Sequence, residues 1–333
     1  MGVCISSIDF DRLLDLRLDY LFKLMFGDKQ RLISLVNAVF INKKLDRIVT
    51  DLAFINTAIE KQSPEDKYST IDIMATLDSG ATTSIEIHLY GLPEFKYKTV
   101  RTWAKLYGGG LKEGQKFWEN KPVICISFID GALKDAEGAP LDQIHSLFQI
   151  RERDVRQLLL PDLELHFINM RAFVTKHKTP ETKQASYDKF TKWLLLITQS
   201  EQSDKEILKK ICEEDGEIAV AVELLASMSE DEATRFAYSQ RRDMMISYYS
   251  ALRETEEYRR RIAEYSQQIE ESNRRAEEYS QQIEESNRRA EEYSQQIEES
   301  NRRVAKTMYA KDFSITEIAE ALSLTEEDVA ALI

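Results

Sequence analysis

The stretch Thr70-Ile71-Asp72-Ile73-Met74-Ala75-Thr76-Leu77, then Asp78-Ser79-Gly80, then Ala81-Thr82-Thr83-Ser84-Ile85-Glu86-Ile87-His88-Leu89 decides the fold. Apolar and polar residues alternate along both arms, which is the two-residue period of a strand. Ile71, Ile73, Ala75 and Leu77 on one arm and Ile85, Ile87 and Leu89 on the other mark one face. Thr70, Asp72, Met74 and Thr76 mark the opposite face, with Thr82, Ser84, Glu86 and His88. A three-residue Asp78-Ser79-Gly80 loop with Gly80 in the left-handed conformation sets the register. Leu77 then pairs with Ala81, Asp72 falls opposite Glu86, and Thr70 falls opposite His88. Two carboxylates placed across an antiparallel pair lie about 5 Å apart at Cβ and repel each other. A divalent cation is the simplest group to offset that repulsion.

Elements of the other type surround this hairpin. Leu13, Leu14, Leu18, Leu21, Phe22, Met25 and Phe26 recur at helical spacing and stop at Gly27. On that helix Asp15, Asp19 and Lys23 share a face, as a solvated Asp19–Lys23 pair or as neighbours of an active site. A second helix, Lys29 to Phe40, presents Leu32, Ile33, Leu35, Val36 and Val39. The charged stretch Glu60 to Lys67, with Pro64, reads as a loop into the hairpin, and Pro93 ends the second strand. Phe95 to Leu111 reads as a helix burying Tyr97, Val100, Trp103, Ala104 and Tyr107. Lys96, Lys98, Arg101 and Lys105 make it the best basic surface of the first half, a candidate DNA contact. Residues 122–129 form an apolar run suited to a strand buried on both faces, and Leu163 to Asn169 reads as a further strand. Together these make an α/β core. From Tyr187 to about Thr255 the pattern is helical and looks like packing.

Composition narrows the function classes. At 333 residues the chain can hold one sizeable core with an appendage, or two domains. No apolar run approaches the ~18 residues of a membrane span. The start of the chain, Met1 to Ser7, lacks the basic and apolar blocks of a secretory signal, and a Gly2/Ser6 myristoylation match is of the kind that arises by chance. The cysteines Cys4, Cys125 and Cys212 are far apart and without metal-ligand spacing, which suits a reducing cytoplasm. A net charge of −13 argues against a uniform nucleic-acid-binding coat but leaves room for a local basic groove.

Residues 260–301 hold three near-identical 14-residue units, of which the second (from Arg274) and third (from Arg288) are identical. Fourteen is two heptads. With Ile262 at position a, the a series runs Ile262, Ile269, Ala276, Ile283, Ala290, Ile297 and Val304, and the d series alternates Tyr and Ser. Glu270–Arg274 and Glu271–Arg275 pairs recur at i, i+4. The spacing predicts one long helix that associates with copies of itself through residues 260–304, although Ala and Ser at five of the thirteen seam positions weaken a coiled coil. Residues 304–333 have a helix-turn-helix rhythm, with Ser314 or Thr316 capping one helix and Thr325 the next. Glu326, Glu327 and Asp328 open that second helix and would repel phosphates, so a protein contact or packing role is preferred to a DNA reader.

Carboxylates on neighbouring strands suit a metal-dependent phosphodiesterase. Asp72 and Glu86 would ligate Mg²⁺, with the backbone carbonyl of Ile87, and His88 would position water or stabilise charge. The spacing by itself is common on exposed strands. The wider pattern is more specific. Asp19-Tyr20-Leu21-Phe22-Lys23-Leu24-Met25-Phe26-Gly27, Leu32 to Val39, Asp72 with Glu86-Ile87-His88, and Arg101 through Lys105-Leu106-Tyr107 to Gly114 resemble the Rpn family over roughly residues 10–175. These are recombination-promoting, transposase-related nucleases of the PD-(D/E)XK type. The tail 308–332 is similar to the family's trailing segment.

That resemblance implies a restriction-endonuclease-like α/β/α core, dependence on Mg²⁺ (or Mn²⁺), and DNA as substrate. By it Asp72 and Glu86 match the motif acids, and Asp19 and Lys23 match the family's leading motif as accessory residues. Ile71 stands where the motif name has proline. His88 stands where the family shows glutamine and the wider superfamily lysine; protonated, it would partly replace lysine, or it marks a slowed site. The expected organisation is a nuclease-like core over 1–180, a helical packing region over 181–255, a long repeat helix over 256–304 and a helix-turn-helix-like tail over 305–333. The expected function is a cytoplasmic, metal-dependent DNA endonuclease. The competing expectation is a catalytically weak scaffold that acts through self-association and protein contacts.

Overall fold

Asp78-Ser79-Gly80 turns the chain between two antiparallel strands. Gly80 adopts φ +83°, Leu77 N–H donates to Ala81 O at 2.8 Å, and Gly80 N–H returns to Leu77 O at 2.8 Å. A positive φ of this size is open to glycine at little cost. The register that follows pairs Ile73 with Ile85, Met74 with Ser84, Ala75 with Thr83 and Thr76 with Thr82, as the alternation predicts. The structure is a computed structural model that describes residues 8–57, 72–89, 94–177, 186–198 and 205–333. Thr70, Ile71, Pro93, the loop 60–67 and the segment with Gly2, Cys4 and Ser6 lie outside the described residues. The chain divides into two units, Met1–Tyr249 and Ser250–Ile333.

In the first unit a six-stranded mixed sheet carries the hairpin near its centre. Its order is β1 (Leu52–Phe54), β2 (Ile73–Leu77), β3 (Thr82–His88), β4 (Val123–Ile129), β8 (Leu163–Asn169) and β7 (His145–Phe148). β3, β4 and β8 run parallel, while β2 and β7 pair antiparallel to their neighbours. A short hairpin of β5 (Leu133–Lys134) and β6 (Pro140–Leu141) lies in the connection after β4. Every residue of β4 is buried, as its unbroken apolar run requires.

Helices cover both faces, giving an α/β/α arrangement. Ile124, Ile126 and Phe128 of β4 join one core with α1 (Asp19–Phe26), α2 (Lys29–Asn42), α5 (Lys189–Ile197), α6 (Lys205–Glu214) and α7 (Gly216–Glu230). Val123, Cys125 and Ile129 pack instead with Phe95, Leu165 and Phe167 under α3 (Phe95–Gly108), and α4 (Met170–Lys176) follows β8. Trp193 is fully buried in the larger core, 5.2 Å from the Phe26 ring, and Phe22 lies 5.7 Å from Phe128. Contacts of this kind are each worth about 0.5–1.5 kcal/mol beyond area burial, so they hold α1 firmly on the sheet.

Two expectations need correction. The first helix begins only at Asp19, because the Asp15 carboxylate accepts the Arg17 N–H at 2.9 Å and its guanidinium at 2.7 Å, which makes a turn of residues 15–18. Asp15 therefore lies off the helix face that Asp19 and Lys23 share. On α3 the buried residues are Phe95, Thr99 and Thr102, whereas Tyr97 and Val100 are exposed. Thr99 can be buried because its hydroxyl donates to Phe95 O at 3.0 Å and meets Ser127 Oγ at 3.1 Å.

The second unit consists of most of α8 (Glu232–Tyr309) with α9 (Ile315–Leu322) and α10 (Glu326–Leu332). Ser314 with Glu317 and Thr325 with Asp328 form capping boxes, and Ser323 turns the chain in the left-handed region at φ 54°. Ala305, Ile318, Ala319 and Val329 form its small core. Among the described residues no helix is long and apolar enough to cross a membrane.

Candidate active site

Asp72 and Glu86 come together at one end of the sheet. β3 delivers Glu86 and His88 at its C-terminal end, and Asp72 stands one residue before β2, where the observed register continues to Glu86. The Asp72 carboxylate leaves the ladder and accepts the Ile87 N–H at 3.0 Å. Glu86 is 3 % exposed because α3 roofs this face. Burial pushes its carboxyl above the ordinary range, with Lys98 pulling the other way and Asp72 adding to the rise.

The repulsion expected between the two acids is answered by lysines. Lys23 Nζ lies 3.0 Å from Asp72 Oδ1, placed there because its neighbours Phe22 and Phe26 anchor α1 on the sheet. Lys98, one turn into α3, puts its ammonium on Glu86 Oε2. Asp19 does not pair with Lys23. It accepts a two-pronged contact from Arg241 of α8, at 3.0 Å from Nε and 2.6 Å from Nη2.

His88 is neutral at pH 7: burial, followed by the nearby Lys98 charge, pushes it down to about 3. It is therefore not the cation that would replace a motif lysine. Its Nε2 lies 3.4 Å from Glu86 Oε2 without hydrogen-bond geometry and is a buried polar atom with no hydrogen-bond partner. Such an atom ordinarily costs about 1–3 kcal/mol, and at a site this marks a position for a water or ligand.

The four basic residues of α3 separate. Lys98, Arg101 and Lys105 lie at i, i+3 and i+7 along one side, Lys98 being drawn into the acid pair. Lys96 points elsewhere and donates to the carbonyls of Lys134 (3.2 Å) and Asp135 (3.1 Å). Two further groups at this sheet end escaped the sequence reading. Asp130, just past β4, is 7 % exposed and pairs with Arg17 at 3.6 Å and Arg171 at 3.3 Å. Arg241 lies 222 positions from its partner Asp19, and no local pattern could have joined them.

Among the described residues no three His, Cys, Asp or Glu side chains form a ready metal cage. The donors nonetheless suit a hard divalent cation. Two carboxylates meet beside an unpartnered imidazole nitrogen, and Mg²⁺ commonly takes one or two carboxylates and keeps several waters. Both cysteines described are core residues: burial pushes Cys125 up to about 12 and Cys212 to about 11, so neither serves as a nucleophile.

A family model described as PD-(D/E)XK nuclease family transposase matches residues 16–255. No curated protein and no solved structure gives a match.

Proposed function

The chain belongs to the PD-(D/E)XK nuclease family of transposases, and from that premise we propose that it is a Mg²⁺-dependent DNA endonuclease that hydrolyses phosphodiester bonds, of the recombination-promoting type. The observation that carries this reading is the convergence of Asp72 and Glu86, each held by its own lysine, at the end of the central strands. Asp72, Glu86 and the Ile87 carbonyl would hold the ion. Bound there, Mg²⁺ would polarise the scissile phosphate and lower the pKa of a water molecule. Nucleases of this family typically use divalent metal ions.

The chain's own groups have separable tasks. Lys23 and Lys98 each pair with one of the two acids and place positive charge where the phosphate gains negative charge. Lys98 thereby supplies, from α3, the cation that the superfamily keeps two residues beyond the motif glutamate, a position held here by neutral His88. The buried imidazole nitrogen of His88, beside Glu86 and without a hydrogen-bond partner, would orient a water admitted to the site. Arg241 fixes Asp19 and so the start of α1. Arg101 and Lys105 continue the basic side of α3 as candidate contacts to the DNA backbone. The acidity of the chain is no obstacle, since Ser250–Ile333 holds 20 acidic and 12 basic residues, eight of the 13 net negative charges.

The test is nicking of supercoiled DNA with and without Mg²⁺. Cleavage that needs the ion and is lost in Asp72→Ala and Glu86→Ala supports the site. Activity unchanged by either substitution rejects the site, and no activity from the parent chain under any divalent ion favours the scaffold.

A further inference from the structure

Helix α8 leaves an apolar seam bare. Tyr279 and Ile283 are 66 % and 61 % exposed, and the matching residues of the other two units are as open. The ion pairs of the helix, Glu271–Arg275 at 2.7 Å and Glu285–Arg289 at 2.6 Å, run along its flank and cover none of the seam. Because the repeat is two heptads long, the same positions return to the seam in every unit. Along it a large pair, Tyr279 and Ile283, is followed by a small pair, Ser286 and Ala290, and then by the next large pair.

We propose that the partner of this seam is a second copy of the chain, running antiparallel in one register. In an antiparallel pair an a residue faces a d residue. With the two-fold axis between Glu284 and Glu285, Tyr279 faces Ala290 and Ile283 faces Ser286, so each bulky side chain fills the space left by a small one. The same matching holds from residue 269 to residue 300, and beyond it Tyr265 faces Val304. The flanking g positions alternate Gln and Arg, and in this register Gln282 meets Arg289 and Arg275 meets Gln296. A slip of one heptad opposes Tyr to Ile, Ser to Ala, and Arg275 to Arg289. Packing and charge therefore select the same alignment.

The parallel alternatives are poorer. In register, Tyr lies on Tyr and Ser on Ser, which alternates crowding with voids. A parallel stagger of one heptad matches large to small but leaves an unpaired heptad at each end. That heterologous contact propagates into an open filament, whereas the antiparallel pair is isologous and closes.

Cross-linking of the full-length chain tests the register. Ile269→Cys and Ser300→Cys, each in a Cys4→Ser background, are purified separately, mixed and oxidised. The antiparallel register puts residue 269 of one copy beside residue 300 of the other, so the mixture is expected to give a covalent dimer and either variant alone none. Homotypic cross-linking of Ser300→Cys would show the parallel pair and overturn the proposal. A parent chain that sediments as a monomer at tens of micromolar overturns it as well, and this measurement needs no variant.

Discussion

Lys98 sits on a carboxylate that is only 3 % exposed, and in the proposed reaction its charge would act on two events with opposite signs. A cation near Glu86 opposes the approach of a divalent ion but favours the charge that develops on phosphate. Lys98→Met is therefore expected to tighten Mn²⁺ binding severalfold by calorimetry while lowering DNA cleavage by roughly 10²-fold, the loss typical of one electrostatic donor. A loss of both would make Lys98 a structural residue instead. Glu86 itself is a cost to the fold at neutral pH, since burial disfavours its ionised form. Glu86→Gln removes that charge, and Lys98, with a side chain 39 % exposed, can turn to solvent. The variant is expected to be inactive yet to melt roughly 2–4 °C higher, a gain of about 1 kcal/mol. A lower melting temperature would mean that the Glu86–Lys98 pair stabilises the unit. The identity of the two acids was legible in the sequence, because alternation and one glycine turn set which residues share a face. The role of Lys98 was not. It depends on how the first turn of α3 crosses the end of β3, and linear spacing does not carry that information.

At the far edge of the same sheet, strands β7 and β8 and the end of α2 share a buried polar chain that lies apart from the proposed site. Asn42 meets His145 at 2.8 Å, His145 meets His166 at 3.0 Å, and His166 lies 3.3 Å from Glu164, which Arg47 also holds. Lys43 caps the His145 carbonyl, and Phe40 and Phe190 pack against the two rings. Burial pushes His145 down to about 2 and lowers His166 as well. A histidine that must stay neutral when folded contributes fully above its unfolded value near 6.5, and that contribution drains away as pH falls toward the folded value. For Glu164, burial raises the carboxyl but its hydrogen bonds and Arg47 outweigh that, so its folded value is lowered and its contribution too is lost in acid. Unfolding of the first unit is thus expected to become easier by about 2.5 kcal/mol from His145 alone between pH 7 and 4.5, with His166 and Glu164 acting in the same direction. Denaturant titrations of His145→Gln should show a flatter pH dependence than the parent, and an equal slope would remove His145 from the account. Elements of this kind differ in how far they can be read. β4 declared itself through an unbroken apolar run, and the turn at Gly80 through its chemistry. The buried side of α3 did not, because Thr99 and Thr102 look solvent-facing until Ser127 supplies a partner.

At the scale of the molecule the repeat was plain in the sequence, since identical 14-residue units need no folding rule to be seen, and self-association was expected from it, but the direction and register of the pairing were not. Pairing depends on the order of large and small residues read in opposite directions on two chains, and a helix taken alone shows nothing of it. The order also makes a double-mutant test possible. Tyr279→Ala should leave two voids per dimer and Ala290→Tyr should create two clashes, each weakening association, with overpacking costing about 1–3 kcal/mol. In the antiparallel register residue 279 of one copy faces residue 290 of the other. Both changes in one chain therefore exchange the members of each layer and restore a Tyr beside an Ala. The double variant is expected to dimerise within a few-fold of the parent, with a coupling of about 1–2 kcal/mol by sedimentation equilibrium. In a parallel in-register pair residue 279 faces its own copy and residue 290 faces its own copy, so the double variant would show no rescue. Helix content by circular dichroism should hold in all four chains, because Ala and Tyr are both tolerated in a helix secured by its own Glu–Arg pairs. Additive losses at constant helicity would leave the long helix standing and remove the antiparallel dimer.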